Sequence, residues 1–440
     1  ARLAAIHGNH RRIASGVLLV GLLVALAKAC AALREVAVAW RYGISGTVDA
    51  FQLALTVTTW TATIVTAMST VVLVPRLVAL HRREQAHRAF VAELNGTVVL
   101  VAAAVGLLTW ATAPQAISLI SGGLDDQTRA LATSMGLRMA PVASLTILAG
   151  YFAIRLQARE RFGYSLIEAL PAVTTGVLVL VVPSEYGGAP LIWGVLLGLV
   201  FQVLWLGWLT ARSDGSIGSV RFRRQSDQWP AIYGSVMFMA AGQIVLAISA
   251  PVDQAFAASL GDGSVAALGY ATRIVALFTT FGSVVVARAV LPVLSGAVAD
   301  GQYELGRHQT LRWAWLMFAL GVAAALLGWV LAPLGIGLLY ERGAFGAGET
   351  LVVAEVFRYG LLQLPFFLGG LVLVQWNAAL RRYQLLLWVS VSTLAAKILL
   401  SILLVEALGL VGLMLATSGM YALSSLLMLL FSKGTYEKIR

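Results

Sequence analysis

Seven cations and four carboxylates sit inside long apolar stretches of this sequence. The cations are Lys28, Arg34, Arg138, Arg273, Arg288, Arg358 and Lys397, and the acids are Glu35, Glu168, Asp253 and Glu355. A charge at the centre of a membrane helix costs about 2.5–3.5 kcal/mol on insertion scales, so such residues usually face a cavity or a partner. Five of them, Lys28, Arg34, Glu35, Asp253 and Arg273, fall on the first, seventh and eighth apolar stretches. Three cations against two acids leave a positive excess, which in low dielectric suits an anion such as a phosphate or diphosphate. Lys28 and Glu35 are seven positions apart and share a helical face, whereas Arg34 points about 120° from Lys28 on an ideal helix. Both cations reach one cavity only if that helix bends or Arg34 lies near the mouth. Glu35 and Asp253 are the best-placed acids for coupling to a proton or Na⁺, with simple neutralisation of Arg34 and Arg273 as the competing reading. Glu355 and Arg358, three apart on one face, read as a local ion pair. Arg138, Arg288, Glu168 and Lys397 read as structural pairs or as side chains reaching for an interface.

No catalytic constellation accompanies these charges. His7, His10, His81, His87 and His308 fall in connecting segments without metal-ligand spacing, so no metal site is expected. Cys30 is the sole cysteine, which excludes a disulfide framework. No Gly-rich phosphate loop of the P-loop type occurs, and the 43 glycines scatter through the apolar stretches as packing contacts. No cofactor is expected, although coupling to the membrane potential or an ion gradient is compatible with the buried acids.

The elements that must position the charges are membrane helices. The chain is 59% hydrophobic and 12% charged, half the charge of a soluble domain at about 25%. Apolar blocks of roughly 20 to 30 residues match a hydrocarbon core of about 30 Å. They give an all-α polytopic protein with spans near 13–39, 50–75, 97–120, 130–154, 162–183, 188–210, 230–259, 264–294, 311–340, 350–378, 383–405 and 408–432. With both termini in the cytoplasm, the inside segments hold 21 basic residues and the outside loops hold Arg41, Arg129 and Arg342 beside eight acids. That split follows the positive-inside rule. It also accounts for the net charge of +11 without nucleic acid. The first apolar block is too long for the core of a cleavable signal peptide, so none is expected.

The longest connector, residues 211–229, is basic and follows the sixth span. It divides the chain into an N-lobe (1–210) and a C-lobe (230–440) of six helices each. An ungapped shift of 217 positions places Gly46 on Gly263, Val48 on Val265, Ala54 on Ala271, Thr63 on Thr280, Pro75 on Pro292 and Leu77 on Leu294. Parallel repeats of this kind are expected to enclose a substrate cavity between the lobes near mid-membrane.

Short motifs support a more specific reading. The first span and its exit read Ala32-Leu33-Arg34-Glu35-Val36, Tyr42-Gly43 and Val48-Asp49-Ala50-Phe51, with Asp49 in the turn between helices 1 and 2. Val74-Pro75 closes span 2, Tyr270-Ala271-Thr272-Arg273 and Leu291-Pro292-Val293-Leu294-Ser295 mark span 8, and Glu341-Arg342-Gly343-Ala344-Phe345 follows span 9. Their order and spacing resemble the MurJ/MviN family of the multidrug/oligosaccharidyl-lipid/polysaccharide (MOP) exporter superfamily. The resemblance covers essentially all twelve spans. It implies a V-shaped, two-lobed fold in the bacterial inner membrane that flips undecaprenyl-diphosphate-linked saccharides outward by alternating access. It also implies that Lys28 (usually Arg in the family), Arg34 and Arg273 bind the diphosphate. The sequence departs from lipid II flippases in three ways. Ala62-Thr63 stands where they carry an Arg, Ala276 replaces an acid, and twelve spans stand where they usually have fourteen.

The leading expectation is therefore a flippase for a polyprenyl-diphosphate-linked oligosaccharide. An exopolysaccharide or O-antigen repeat unit is preferred over peptidoglycan lipid II, with membrane lipids and polysaccharide biosynthesis machinery as neighbours. A drug or cation exporter of the same superfamily would want an acidic or aromatic cavity. A polytopic polymerase or ligase would want a sizeable outside loop, which is not present.

Overall fold

The structure, a computed structural model, describes residues 23, 25–80, 84–159, 161, 164–214, 217–286, 290, 294, 296, 298, 300–380 and 382–433. Several residues named above lie outside that set: Arg288, Leu291, Pro292, Val293, Ser295, His7, His10, His81 and the charged residues of both termini.

The described chain is helical, and among the described residues the only β pairing is the isolated bridge between Arg342 and Phe345. Helix is the form in which an apolar segment satisfies its own backbone inside lipid. The helices are α1 (25–42), α2 (Gly46–Leu80), α3 (Glu84–Ile120), α4 (Asp126–Met139), α5 (Pro141–Ala158), α6 (Tyr164–Ile167), α7 (Leu170–Val181) and α8 (Ala189–Asp214). They continue with α9 (Trp229–Ala258), α10 (Ser264–Val285), α11 (Tyr303–Tyr340), α12 (Ala347–Leu361), α13 (Gln363–Ala379) and α14 (Tyr383–Lys433).

Three expected spans are broken helices. Pro141 and Pro171 stand in the first turns of α5 and α7, where a residue without an N–H is tolerated and ends the preceding helix. The third break separates α12 from α13 just before Pro365, and Gln363 Nε2 donates to the Gly360 carbonyl at 2.7 Å there. The long α14 is two helices. Gly409, at φ 58° and ψ −137°, turns the chain. Leu404 then faces Gly412 and Leu400 faces Gly419, the symmetric pairing of a tight hairpin. Counting α4–α5, α6–α7 and α12–α13 as single spans, and the two arms of α14 separately, gives the twelve spans of the sequence reading. Nine of the described helical segments are individually long and apolar enough to cross a bilayer.

The chain forms two compact units. One comprises Ala1–Arg41, Leu53–Ser118 and Arg129–Ile244; the other comprises Tyr42–Gln52, Leu119–Thr128 and Val245–Arg440. In the first unit α8 packs on α5 and α7. One end of it is filled by Val72, Leu73, Leu77, Phe90, Val91, Tyr151, Ile154 and Trp229. In the second, α13 packs on α11 and α14 around Met317, Val372, Trp376, Val389 and Met428. Large apolar side chains cover the outside: on α11, Leu327, Val330, Leu334 and Leu338 are all exposed. A continuous exposed apolar stripe is the surface of a protein solvated by lipid.

The turn between α1 and α2 therefore belongs to the second unit, although most of both helices belongs to the first. Asp49 holds it there. Its carboxylate accepts hydrogen bonds from Gly263 N and from Ala266 N (2.6 Å), capping the first turn of α10 from another part of the chain. Gly263 is the N-cap of α10 with φ 86°, so its own position supplies no side-chain cap. Tyr270 Oη donates to the Gly43 carbonyl at 3.0 Å and packs its ring against Tyr340 and Phe345. Gly43 has φ 57°, and a Cβ there would lie 2.5 Å from the Ala344 carbonyl oxygen. Four of the sequence motifs thus meet in one cluster.

Candidate functional site

In the first unit the sequence-selected charges stand on α1. Arg34 Nε donates to Glu35 Oε1 at 2.8 Å, and Arg34 Nη2 reaches the same oxygen. Glu35 is nearly fully buried and Arg34 is only slightly exposed. The pair uses two of the five donors of the guanidinium. α7 approaches α1 closely here, because a Cβ on Gly176 would sit 3.5 Å from Arg34 Cα. Lys28 is exposed, six positions earlier on α1, and its charge acts on the carboxylate of Glu168. Glu168, read from the sequence as structural, is thus the acid beside Lys28.

In the second unit Asp253 has a different partner from those expected. Lys397 Nζ donates to Asp253 Oδ2 at 2.7 Å and to Ser249 Oγ at 2.6 Å. The side chain of Lys397 is 1% exposed. Asp253 is expected as a coupling acid or as a counter-charge to Arg34 and Arg273, and Lys397 as a structural pair or a side chain reaching for an interface. The geometry corrects that: a buried ammonium occupies the carboxylate. The two positions are 144 residues apart, so no helical spacing could have linked them. The signal that was available is one buried cation and one buried acid of opposite sign in the same half of the chain. Arg273 lies half-buried on α10, in the helix that Asp49 caps, and Ala276 one turn further on is exposed.

The position that carries Arg in lipid II flippases has an apolar use here. Ala62 is fully buried against Ala102, Ala143 and Ile147, with no room for a guanidinium. Thr63 is exposed, and its hydroxyl donates to the Thr59 carbonyl at 2.8 Å. In place of the expected Glu355–Arg358 pair, Arg358 Nε donates to the Trp329 carbonyl at 2.9 Å. Arg138 is exposed in the last turn of α4, where a cation complements the helix dipole.

One buried network had no counterpart in the sequence reading. Arg155, counted there among the inside charges, is 3% exposed and pairs with Asp214 at 2.7 Å, which also binds Arg159 at 2.9 Å. Arg155 also donates to the Ile217 carbonyl at 2.9 Å, while Asn95 donates to the carbonyls of Ile217 and Ser219 at 3.0 Å. Arg221 N completes the attachment by donating to the Ala92 carbonyl at 2.8 Å. The basic connector is thereby pinned along α3. No group of three or more His, Cys, Asp or Glu that could hold a metal occurs among the described residues.

Charged groups held inside broken and unbroken membrane helices mark a cavity or a partner for charge. A family model described as "Lipid II flippase MurJ" matches residues 38–437. The chain belongs to the MurJ family. It is therefore a multi-pass membrane transporter of the lipid-flippase class rather than an enzyme. Among curated relatives, the probable lipid II flippase MurJ of Helicobacter pylori is 26% identical over 323 residues, which is 68% of this chain and 69% of that protein. The probable lipid II flippase MurJ of Synechocystis is 25% identical over 432 residues, covering 93% of this chain and 80% of its own. Two solved structures share the fold. A lipid II flippase MurJ in an inward closed conformation superposes with TM-score 0.80 at 18% identity, covering 94% of this chain and 87% of that one. An inward-facing MATE family multidrug transporter of the MOP superfamily gives TM-score 0.76 at 14% identity, covering 92% and 94%. The MurJ-family reading of the motifs is thus upheld, and the drug-exporter alternative retains only a likeness of fold.

Proposed function

We propose that this MurJ-family chain carries a polyprenyl-diphosphate-linked saccharide from the inner to the outer leaflet, and that lipid II is its substrate. Lys28, Arg34 and Arg273 bind the diphosphate, with Glu35 orienting Arg34 and Asp253 serving charge balance with Lys397. The observation that carries the reading is the family match over residues 38–437, joined to cations in apolar helices of both units. A flippase for an exopolysaccharide or O-antigen unit is the second reading, favoured by Ala62, Thr63 and Ala276, where the family's charges are absent.

The test is replacement in cells depleted of their own lipid II flippase. This chain should restore growth and make lipid II accessible to a probe added outside. Arg34→Lys and Arg273→Lys keep the charge but lose the planar fork that binds two oxygens at once, and each should lower flipping about tenfold or more. Arg34→Ala is the poorer probe, because it strands the buried Glu35. Arg358→Lys, on a helix end bonded to Trp329, should leave flipping unchanged. No rescue of lipid II export, together with rescue of a polymer-export defect, would select the second reading. Equal activity in all three variants would remove the cations from the substrate site.

A further inference from the structure

The first unit contains a cavity that the flipping cycle above does not use. It has a volume of about 300 Å³ and is walled by α2, α3, α5 and the start of α9, which is the low end of the range for ligand pockets. Val65, Val72, Val98, Val101, Ile147 and Val236 give it an apolar lining. Most of its polar side chains are already engaged, with the Ser69 hydroxyl the exception. Thr66 donates to the Ala62 carbonyl at 2.8 Å, Thr97 to the Glu93 carbonyl at 2.9 Å, and Tyr151 to Asn95 Oδ1 at 2.6 Å. A saccharide entering this space would lose its water without gaining partners, whereas a hydrocarbon chain loses nothing.

The same cavity carries one cation at its edge. Arg224 is exposed, stands 5.2 Å from the ring centroid of Trp229 and 5.9 Å from that of Tyr233, and donates to Tyr233 Oη at 2.6 Å. All these partners are neutral. Glu93, the nearby carboxylate, is buried and accepts from Trp229 Nε1 at 2.6 Å and Ser226 N at 3.1 Å. Its charge is spent on those two donors. Before Arg224 the pinned connector runs extended, so Val220 and Phe222 alternate with Arg221 and Arg223. Val220 and Phe222 are 51% and 61% exposed, a pattern that suits the boundary between headgroups and acyl chains.

We infer that this cavity is a site for an anionic glycerophospholipid of the inner leaflet, one acyl chain lying between α2, α3 and α9 and its phosphate on Arg224. The chemistry it recognises is a phosphate diester attached to a saturated or unsaturated chain. A single exposed guanidinium matches one phosphate, which favours a glycerophospholipid over a polyprenyl diphosphate as occupant. The lipid would hold the start of α9 and the connector against α3, next to the Arg155–Asp214 network.

Native mass spectrometry of the purified full chain tests this by counting lipids retained during titration with phosphatidylglycerol, phosphatidylcholine, undecaprenyl phosphate or inorganic phosphate. The wild type should retain one phosphatidylglycerol more tightly than any phosphatidylcholine. Arg224→Ala, a surface change, should weaken that one site about tenfold. Val98→Trp, which fills the cavity, should remove it while the Arg224 variant confirms that the fold is not at issue. Inorganic phosphate should not compete, since the chain supplies most of the contact. Retention of phosphatidylglycerol unchanged in Arg224→Ala, or preferential uptake of undecaprenyl phosphate at this site, would overturn the inference. Because the readout is lipid retention, it stands or falls separately from the flipping assay.

Discussion

At the scale of single residues, buried charge here is managed by pairing. Lys397 shows the consequence most sharply. Its ammonium is sealed from solvent and held by Asp253 and Ser249, and removing one member of a buried pair leaves the other charge uncompensated, at a cost of about 3–5 kcal/mol. Lys397→Met should therefore lower the thermal midpoint of the detergent-solubilised protein by several degrees. Asp253→Asn combined with Lys397→Met should recover most of the loss, since two neutral groups of similar shape replace the pair. A double-mutant cycle in melting temperature checks this, and additive losses would show that the two side chains do not act together. The arginines of the loops expected outside follow the same logic in a smaller way. Arg41 donates to the Val179 and Pro183 carbonyls at 2.6 Å, and Arg342 donates to the Leu338 carbonyl. Two of the three exceptions to the charge rule thus cap helix C-termini, where cations are favoured.

At the scale of elements, the spans were legible from apolar length and charge because the bilayer fixes both. Their breaks at Pro141, Pro171 and Pro365 were not, since hydropathy averages across a proline that still lies in an apolar stretch. The candidate site was legible in part. Arg34 and Glu35 are adjacent in sequence, and their contact needs one helix only, whereas Asp253 with Lys397 and Asp49 with α10 join segments far apart in the chain. Asp49, expected in the turn between the first two helices, stands there and also caps α10 across 217 positions. The helix starts at Gly46 and Ser264 lie within one position of the 217-residue shift expected between the two halves. Replacing Asp49 removes the cap for two amide N–H groups in a buried turn. Asp49→Ala should cost about 1–2 kcal/mol and speed amide hydrogen exchange at residues 263–267 about tenfold, while amides in the middle of α11 stay unchanged. Unaltered exchange at those five residues would mean the carboxylate does not hold the helix start.

At the scale of the whole molecule, the positive-inside rule gives an expected orientation in the membrane that no contact within the chain tests. The segments expected inside hold nearly all the cations outside the spans, and the structure ties several of them to the connector beside α3, through Arg155, Arg159 and Arg221. Moving that strap across a bilayer would carry Arg221, Arg223 and Arg224 with it, at several kcal/mol per charge in the hydrocarbon. The two faces can be told apart chemically. Cys30 is the one native thiol, so a Cys30→Ser background gives a protein without cysteine. In it, Glu185→Cys and Gly348→Cys place a thiol at exposed outer turns, and a side chain at Gly348 meets no neighbour within 4 Å. Arg223→Cys and Gln225→Cys place one on the exposed connector. A membrane-impermeant maleimide added to intact cells should label the first two and spare the second two, and permeabilised cells should give label at all four. Labelling of Arg223→Cys in intact cells would invert the molecule. The headgroup site assigned to Arg224 would then face the outer leaflet, and the helices would have to carry a substrate in the opposite sense to the one proposed.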